Sequence, residues 1–277
     1  MEKNLSKAKV VNLHYTNLCN YRCRFCHSHF QKTPLTFDDW KIIIDNIMSD
    51  LKVERFNLAG GEPLAGEYLQ DLIDYIAMKN VKCSIITNGS LLTETFIQKN
   101  SKKLSMIGIS IDGLNHRQNS MLGRVDKHGA DLSSEHLQCL ADAIHKVKMK
   151  LKINTVINAI NYQDDFHQLI QSLAPERWKL LRMLHFDNAN EASKSLMISD
   201  EAFNAFVARH HHLHPVVEDK NDIVNSYIVV TPEGKLINNA NDHYSMTESL
   251  LTHSFASEFA KIPFSETAYQ KRYHHTA

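Results

Sequence analysis

The sequence lacks an excess of charge of either sign, because its 277 residues include 31 Lys and Arg and 31 Asp and Glu. This balance excludes a global field that would draw the chain to nucleic acid or to an anionic membrane. No apolar run reaches the roughly 18 residues that a membrane-spanning helix needs, and residues 1–9 are polar and charged. We therefore expect a cytoplasmic protein with no membrane or nucleic-acid partner, in which any basic site is local.

Cysteine is scarce and unevenly placed. The chain has five cysteines, an odd number, and three of them fall between positions 19 and 26. This pattern does not suit the disulfide framework of a secreted domain, and it favours a metal site in a reducing compartment. Cys83 and Cys139 stand alone in segments of apolar periodicity, where we expect them to pack in the core.

Apolar periodicity predicts strands and helices in alternation. Six strand-like runs are each followed by a helical pattern, in units of about 30 residues, which is long enough for a right-handed crossover between parallel strands. A closed eight-unit barrel needs about 250 residues, so six units predict an α/β fold with a partial (βα)6 TIM-like barrel. The predicted strands are Lys9–Tyr15, Val53–Leu58, Val81–Ile86, Met106–Ile111, Leu151–Ile157 and Trp178–Leu184.

The barrel pattern ends near residue 212. We expect residues 1–214 to form the barrel and residues 215–277 to form a C-terminal extension that covers the barrel mouth. Within this extension, Asn225–Leu236 is typical of a hairpin around a Pro-Glu-Gly turn. From about Asn238 the sequence is polar and weakly patterned.

The stretch Cys19-Asn20-Tyr21-Arg22-Cys23-Arg24-Phe25-Cys26 follows the first predicted strand and spaces three thiols as CxxxCxxC. Three thiolates are one short of the four that a structural zinc or a closed ferredoxin cluster takes. A histidine, His27 or His29, would complete a zinc site. The other completion is a [4Fe–4S] cluster with one iron open to a small molecule, and the spacing alone does not separate the two.

Gly60-Gly61-Glu62-Pro63 stands at the end of the second predicted strand, at the edge where the sites of βα barrels collect. Two glycines let the backbone approach a ligand closely, and proline fixes the turn that follows. A Gly-Gly turn is a weak signal on its own. Because Gly-Gly-Glu-Pro follows the next predicted strand after CxxxCxxC, the two motifs together are a strong signal.

Four predicted strands carry polar side chains at i and i+2, which strand alternation sends to one face. A barrel interior normally holds Val, Ile and Leu, so inward cations are costly without an anionic partner, and four of them suit a polyphosphate. The alternative is that each pair faces solvent. The pairs are Asn12/His14, Arg55/Asn57, Lys152/Asn154 and Arg177/Lys179.

The motifs in chain order, CxxxCxxC with Phe25 before its last cysteine, Gly-Gly-Glu-Pro, Thr87-Asn88-Gly89 and Ser110-Ile111-Asp112-Gly113, resemble those of the radical S-adenosylmethionine (SAM) superfamily. The resemblance covers roughly residues 9–185. It implies that a [4Fe–4S] cluster held by Cys19, Cys23 and Cys26 binds SAM, whose cleavage gives a 5′-deoxyadenosyl radical. It further implies SAM contacts from Phe25, Gly60, Gly61, Glu62, Asn88, Ser110 and Arg124.

Local strings are similar to the viperin branch, among them Asn12-Leu13-His14-Tyr15-Thr16, Lys152-Ile153-Asn154, Arg177-Trp178-Lys179 and Asn225-Ser226-Tyr227-Ile228. This resemblance implies a lyase, a 3′-deoxy-3′,4′-didehydro-nucleotide synthase, that dehydrates a ribonucleoside triphosphate in antiviral (phage) defence. It implies loss of hydrogen from C4′ and of the 3′-hydroxyl as water, with a reductase or flavodoxin supplying electrons. Tyr227, Lys152 and Lys179 would be catalytic, and the matching strings imply that Lys152, Asn154, Arg177 and Lys179 hold the triphosphate. The polar pairs of the strands add Asn12, His14, Arg55 and Asn57 as expected nucleotide contacts.

The sequence departs from the animal viperin pattern in three places. Ala59 precedes the two glycines where that pattern has serine, Ser110-Ile111-Asp112-Gly113 is the generic superfamily form, and no amphipathic membrane helix precedes the domain, so we expect a microbial viperin-like protein. Another radical SAM activity, a molybdopterin-type cyclase or a peptide-modifying enzyme, is an alternative. Those families commonly add C-terminal cysteines, and none follows Cys139. A zinc-stabilised binding module is the non-enzyme alternative, and it leaves Gly-Gly-Glu-Pro and the cations unexplained.

Overall fold

The computed structural model describes residues 9–26, 35–188, 191–240 and 243–274 of the chain. In these ranges the strands join into a single sheet. The strands in chain order are β1 Val10–Thr16, β2 Arg55–Gly60, β3 Lys82–Thr87, β4 Leu104–Ser110, β5 Lys150–Ile157, β6 Arg177–Arg182, β7 Val216–Glu218, β8 Val229–Val230, β9 Lys235–Asn238 and β10 Ser245–Ser249.

Short connections and longer helices link these strands. No helix in the described part of the chain is long and apolar enough to cross a membrane. Short helices of 3₁₀ type occur at Pro63–Ala65, Glu191–Leu196 and His211–Leu213. The α-helices are α1 Phe37–Asp50, α2 Leu69–Met78, α3 Glu94–Lys99, α4 His116–Leu122, α5 Ser134–Lys146, α6 His167–Leu173, α7 Asp200–His210, α8 Lys220–Ile223, α9 Phe255–Lys261 and α10 Glu266–His274.

The spatial order of the strands is β10-β9-β8-β1-β2-β3-β4-β5-β6-β7. Strands β1 to β7 run parallel, and β8 pairs parallel with β1 on the free edge of that strand. Strands β9 and β10 add antiparallel to β8. The predicted α/β partial barrel is therefore confirmed, and every predicted strand overlaps an observed one.

Strand alternation gives the barrel an apolar outer face and a polar inner face. In β1, Val11, Leu13 and Tyr15 are at most 1% exposed and share one core cluster with Trp40 of α1. Asn12, between them, turns to the other face. Burying each large apolar side chain contributes roughly 1.5–3 kcal/mol. The outer face therefore fixes the register of each strand, because a slip by one residue would expose it.

Residues beyond position 214 complete both edges of the sheet. β7 pairs with β6, with Val216 opposite Lys179, and β8 pairs with β1, with Val230 opposite Leu13. The predicted hairpin is present as β8 and β9, joined by a turn in which Gly234 has a φ of +72°. The sequence pattern did not predict six of the observed elements, most of which are too short to show a periodicity. They are β7, α4, α8, β10, α9 and α10.

The last helix, α10, lies at the amino-terminal end of the strands, away from the barrel mouth. The Tyr269 hydroxyl accepts hydrogen bonds from the amides of Lys9 and Val10, at 2.8 and 2.6 Å, where β1 begins. Arg177, the first residue of β6, donates to the carbonyl of Arg272 at 2.7 Å. Ile237, Asn239 and Tyr244 line instead the cavity described below. The division of the chain at residue 214 stays a prediction.

Candidate active site

A cavity of about 370 Å³ opens inside the barrel and reaches the carboxyl ends of the parallel strands. Arg55, Glu62 and Arg177 are the predicted site residues that do not line it. The predicted residues on its wall are Asn12, His14, Cys19, Cys23, Phe25, Cys26, Asn57, Gly60, Gly61, Asn88, Ser110, Arg124, Lys152, Asn154, Lys179 and Tyr227. The polar residues of β1 and β5 therefore face inward, as the anionic-ligand interpretation requires.

The loop after β1 brings three thiols to this cavity. Arg22 and Arg24 within the loop donate their backbone amides to carbonyls at the end of α4, at 3.0 and 2.9 Å, so the loop is anchored along its length. The side chains of both arginines are exposed, whereas the cysteines are half-buried. The cysteines on the cavity wall are Cys19, Cys23 and Cys26.

Burial disfavours the thiolate form that these cysteines would need in order to bind a metal. Burial raises the pKa of Cys23 to about 12, although Arg124 partly opposes this effect, and burial also raises the pKa of Cys19. A thiolate in such a place needs the positive charge of a bound metal. Among the described residues, no three His, Cys, Asp or Glu side chains are spaced to share one metal ion. A [4Fe–4S] cluster requires no such spacing, because each cysteine binds a different iron.

The alternative zinc ligands His27 and His29 lie outside the described residues. Of the two cysteines elsewhere in the chain, Cys83 is buried, as predicted. Cys139 is exposed, so its predicted core position was wrong. It lies on α5, whose buried residues include its neighbours Leu140 and Ala141. The periodicity located the apolar face of that helix, but Cys139 is turned away from it.

Gly60 and Gly61 let β2 end directly against the cysteine loop. A Cβ on Gly60 would stand 2.3 Å from the carbonyl oxygen of Thr16, and one on Gly61 would stand 2.2 Å from that of Leu18. Gly60 also has a φ of +142°, which strains any other residue. Backbone hydrogen bonds of 2.8 and 2.7 Å tie residues 61 and 62 to these carbonyls. The glycines therefore allow two backbone segments to approach closely, and their predicted approach to a ligand stays a prediction.

Glu62 turns its carboxylate into the protein and is 1% exposed. It accepts hydrogen bonds from the Thr87 hydroxyl at 2.6 Å, from the Asn88 amide at 2.7 Å and from the Leu64 amide at 3.1 Å. Burial raises its pKa, and these hydrogen bonds oppose the rise. The carboxylate thus joins the ends of β2 and β3. Its contact with SAM stays a prediction.

Arg124 crosses from the end of α4 to the end of β4. Its Nη2 donates to the carbonyl of Ser110 at 2.6 Å, and its Nη1 lies 2.7 Å from Oδ2 of Asp112. Sequence reasoning assigned no role to Asp112, although its motif was recognised. Ser110 and Arg124, both predicted to contact SAM, are therefore neighbours on the cavity wall.

The part of the cavity formed by β5 and β6, here called its cationic end, holds the side chains of Lys152 and Lys179. In the β5–β6 register Lys152 stands opposite Arg177, and Asn154 stands opposite Lys179. Burial lowers the pKa of Lys152 well below its usual range, and the charges of Lys179 and Arg177 lower it further. Burial also lowers the pKa of Lys179, to about 7, against the opposing effect of Glu218. The charge of Arg55 also lowers the pKa of Lys152. Arg55 and Arg177 therefore act electrostatically on the cationic end without lining the cavity.

Residues that sequence reasoning missed complete the two ends of the cavity. At the cationic end, Glu218 pairs with Lys179 and accepts from the Tyr227 hydroxyl, and Arg272 lies across the Tyr227 ring. At the mouth, Phe186 and Tyr244 form a stacked pair with ring centroids 4.3 Å apart. These residues belong to segments whose sequence is too short or too weakly patterned to place them.

The radical SAM superfamily matches residues 13–173 of the chain. An S-adenosylmethionine-dependent nucleotide dehydratase of Selenomonas ruminantium is 35% identical over 272 residues, which cover 96% of this chain and 99% of that protein. The chain belongs to the radical SAM superfamily, within the nucleotide dehydratases. A second S-adenosylmethionine-dependent nucleotide dehydratase, from Pseudoalteromonas ulvae, is 32% identical over 290 residues, covering 95% of this chain and 92% of that protein.

Two solved structures with bound S-adenosylmethionine share the fold. Native anSMEcpe with bound AdoMet and the Cp18Cys peptide has a TM-score of 0.71 at 16% identity, covering 95% of this chain and 84% of that one. SuiB of Streptococcus suis bound to S-adenosylmethionine has a TM-score of 0.70 at 14% identity, covering 96% and 67%. The predicted radical SAM enzyme and its cofactors, a [4Fe–4S] cluster and SAM, are confirmed through the family. The role of each individual site residue stays a prediction.

Proposed function

We propose that this radical SAM enzyme converts a ribonucleoside triphosphate into its 3′-deoxy-3′,4′-didehydro form. One observation carries the proposal, namely that Lys152 and Lys179 line the same cavity as the three thiols. A triphosphate held at the cationic end would direct its sugar toward the cysteine loop. The names of the relatives, as nucleotide dehydratases, support the same reaction class.

The protein's own residues would hold and shield the substrate. Lys152 and Lys179 would neutralise phosphate oxygens by charge-assisted hydrogen bonds, with Arg55 and Arg177 reinforcing the positive field from behind. Tyr227, on the wall beside Lys179, is the side chain we assign to the sugar. The barrel and α10 enclose this end, which keeps water from competing with the substrate.

When bound at the cysteine loop, the cluster and SAM supply a 5′-deoxyadenosyl radical that removes the hydrogen atom from C4′ of the ribose. The 3′-hydroxyl then leaves as water, which takes up one proton, and one electron completes the C3′–C4′ double bond. Cleavage of SAM consumes a further electron. The products are therefore the didehydro-nucleotide, 5′-deoxyadenosine, methionine and water, for two electrons and one proton.

An external one-electron donor, a reductase or flavodoxin, is part of this proposal. Its compartment would be the reducing cytoplasm, as the free cysteines suggest. The product lacks a 3′-hydroxyl, so a polymerase that incorporates it cannot add another nucleotide. This chemistry supports a role in defence against viruses, including phage.

The experiment that tests the proposal is an anaerobic assay with reduced protein, SAM and each of CTP, UTP, GTP and ATP. We expect one or more nucleotides to raise 5′-deoxyadenosine formation, with an equal amount of nucleotide lighter by one water. If no nucleotide raises it, the dehydratase assignment fails. The same assay reports which base is preferred.

A pair of lysine variants makes the substrate assignment specific. Lys179→Ala removes a cation from the cavity wall, and we expect it to reduce the nucleotide-dependent rate at least tenfold, because a charge-assisted hydrogen bond is lost. Iron content is expected to stay unchanged. Lys150→Ala is the control, since Lys150 pairs with Glu176 on the surface and does not line the cavity. Loss of iron in Lys179→Ala would assign Lys179 a structural role instead.

A further inference from the structure

Glu218 lies behind the cationic end of the cavity and is 2% exposed. It ends β7, and its carboxylate forms an ion pair with Lys179 and accepts a hydrogen bond of 2.6 Å from the Tyr227 hydroxyl. Lys179 and Tyr227 line the cavity, whereas Glu218 does not. The carboxylate therefore contacts two wall residues from the protein side.

Tyr227 depends on side chains for its orientation, because no regular element holds it. It falls between α8 and β8, two residues after Asn225, which has a φ of +56°. The Arg272 guanidinium covers its ring, with Cζ 3.3 Å from the ring centroid, and Lys179 donates to its hydroxyl at 3.2 Å. Glu218 accepts the hydrogen bond from the hydroxyl and so fixes the direction of the O–H bond.

Lys179 depends on the same carboxylate for its charge. Burial and the neighbouring cations disfavour the ammonium form, and Glu218 opposes them both as a charge and as a hydrogen-bond acceptor. Arg272 approaches the other oxygen of this carboxylate, with 3.2 Å between its Nη1 and Oε2 of Glu218. The charged and titratable groups that face Lys179 are Lys152 on β5, Arg177 on β6, Glu218 on β7, Tyr227 before β8 and Arg272 on α10.

We propose that Glu218 is a positioning residue of the substrate site, which holds the Tyr227 hydroxyl and the Lys179 ammonium in place for the bound nucleotide. The inference rests on the proposed dehydratase function and assigns Glu218 no contact with substrate. If the Lys179–Glu218 ion pair served stability alone, substituting Glu218 would have the same effect whether or not Tyr227 or Lys179 is also substituted. A positioning residue acts through Tyr227 and Lys179, so its effect disappears when they are changed.

A double-mutant cycle tests the connection to Tyr227. The measured quantity is the amount of nucleotide dehydrated per 5′-deoxyadenosine formed, in Glu218→Gln, Tyr227→Phe and the double variant. Each single variant is expected to lower this ratio roughly tenfold, because misplacing a group near the reacting atoms has effects of that size or larger. When Tyr227→Phe is already present, adding Glu218→Gln is expected to lower this ratio further by less than about twofold. Equal losses in both backgrounds, or an unchanged ratio in either single variant, overturn the proposal.

Nucleotide binding without SAM or reductant tests the connection to Lys179. Calorimetric titration of the best nucleotide over a range of pH, in two buffers, gives the affinity and the number of protons taken up. Removing the carboxylate lowers the pKa of free Lys179, so in Glu218→Gln we expect affinity to start falling at a lower pH than in the unsubstituted protein. A profile that does not move contradicts the proposal.

Glu258→Gln is the matched control. Glu258 is a fully buried carboxylate on α9, paired with Lys261 and outside the cavity wall, so its loss is expected to change neither readout. If Glu218→Gln does not fold, judged by its unfolding midpoint, Glu218→Asp takes its place. Aspartate keeps the charge but has a shorter side chain. We therefore expect less nucleotide to be dehydrated per 5′-deoxyadenosine formed, while the pH profile of nucleotide affinity stays unchanged. An unchanged ratio in that variant overturns the proposal.

The two hypotheses fail in different ways. Absence of nucleotide binding or of nucleotide-dependent 5′-deoxyadenosine in the unsubstituted protein counts against the dehydratase function. If the unsubstituted enzyme is active on nucleotides but the Glu218 variants show additive effects or none, only the proposed role of Glu218 fails.

Discussion

Asp112 and Arg124 form an ion pair in the wall of the cavity, with 2.7 Å between Oδ2 and Nη1. Asp112 is 1% exposed and Arg124 is 7% exposed, so water compensates neither charge. The other oxygen of Asp112 accepts a hydrogen bond of 2.6 Å from the Val156 amide on β5. The pair therefore fixes a guanidinium beside the cysteine loop and ties it to the barrel.

Asp112→Asn is expected to destabilise the protein by roughly 3–5 kcal/mol, because it leaves a buried arginine without its counter-charge. The measurement is the free energy of unfolding in denaturant. Glu54→Gln is the control, since the Lys9–Glu54 pair is about half exposed and is worth at most about 1 kcal/mol. Similar losses in both variants would mean that the burial of the Asp112 pair has no energetic consequence.

Gly60→Ala is expected to cost iron binding as well as stability. Its Cβ would collide with the Thr16 carbonyl and push β2 away from the cysteine loop. Gly129→Ala separates this collision from backbone strain, because Gly129 has a φ of +81° and open space around its Cβ position. We expect Gly129→Ala to cost about 1 kcal/mol and to keep its iron. Full iron loading in Gly60→Ala would show that the close approach is dispensable.

Anaerobically purified protein is expected to carry about four irons per chain and to be brown. Replacing any one of Cys19, Cys23 and Cys26 by alanine should abolish the cluster, because each thiol binds its own iron. Cys139→Ala should leave iron content unchanged, since this cysteine is exposed and far along the chain. Colourless protein with one zinc per chain would favour the binding-module alternative.

Nucleotide affinity is expected to fall as pH rises above about 7. Free Lys179 has a pKa of about 7, and a bound triphosphate raises it, so binding takes up a proton above that pH. Below about pH 7 this group makes no difference, and above it affinity falls by up to about tenfold per pH unit. Titrations start at about pH 5.5, so that the onset of the fall is observed in every variant. Ionisation of the terminal phosphate, with a pKa of about 6, is common to all variants and cancels when they are compared.

Lys179→Arg is the control for this profile. Arginine stays charged over the whole range, so nucleotide binding should persist with a shallower dependence on pH. The remaining slope would come from Lys152, whose pKa is also lowered. An unaltered slope in Lys179→Arg would place the titrating group elsewhere.

Much of the fold could be predicted because its signals are local. Apolar residues at i and i+2 or at helical spacing reveal each strand and helix, and the order of these patterns indicates a parallel sheet. The polar pairs were visible for the same reason. Asn12 and Lys152 alternate with apolar residues, which places them on the opposite face of their strands. Whether that face points inward or to solvent was left open by the sequence and decided by the structure.

The parts of the site that were missed have no local signal. Glu218 lies in a strand of three residues, and Arg272 reaches Tyr227 from 45 positions away in the sequence. No pattern in one segment indicates which distant side chain will pair with it. Glu62 shows the converse case, because its motif was recognised while its carboxylate turns out to bind the end of β3.

The sequence by itself determined the βα alternation, the three thiols one ligand short of a closed site, and the glycines after β2. Each of these follows from the chemistry of neighbouring residues. Only the tertiary structure decided that the cations and the thiols share one cavity, and that Glu218 and Arg272 stand behind Lys179 and Tyr227. The physical reason is that burial determines which charges must find partners, and burial is a property of the packed barrel.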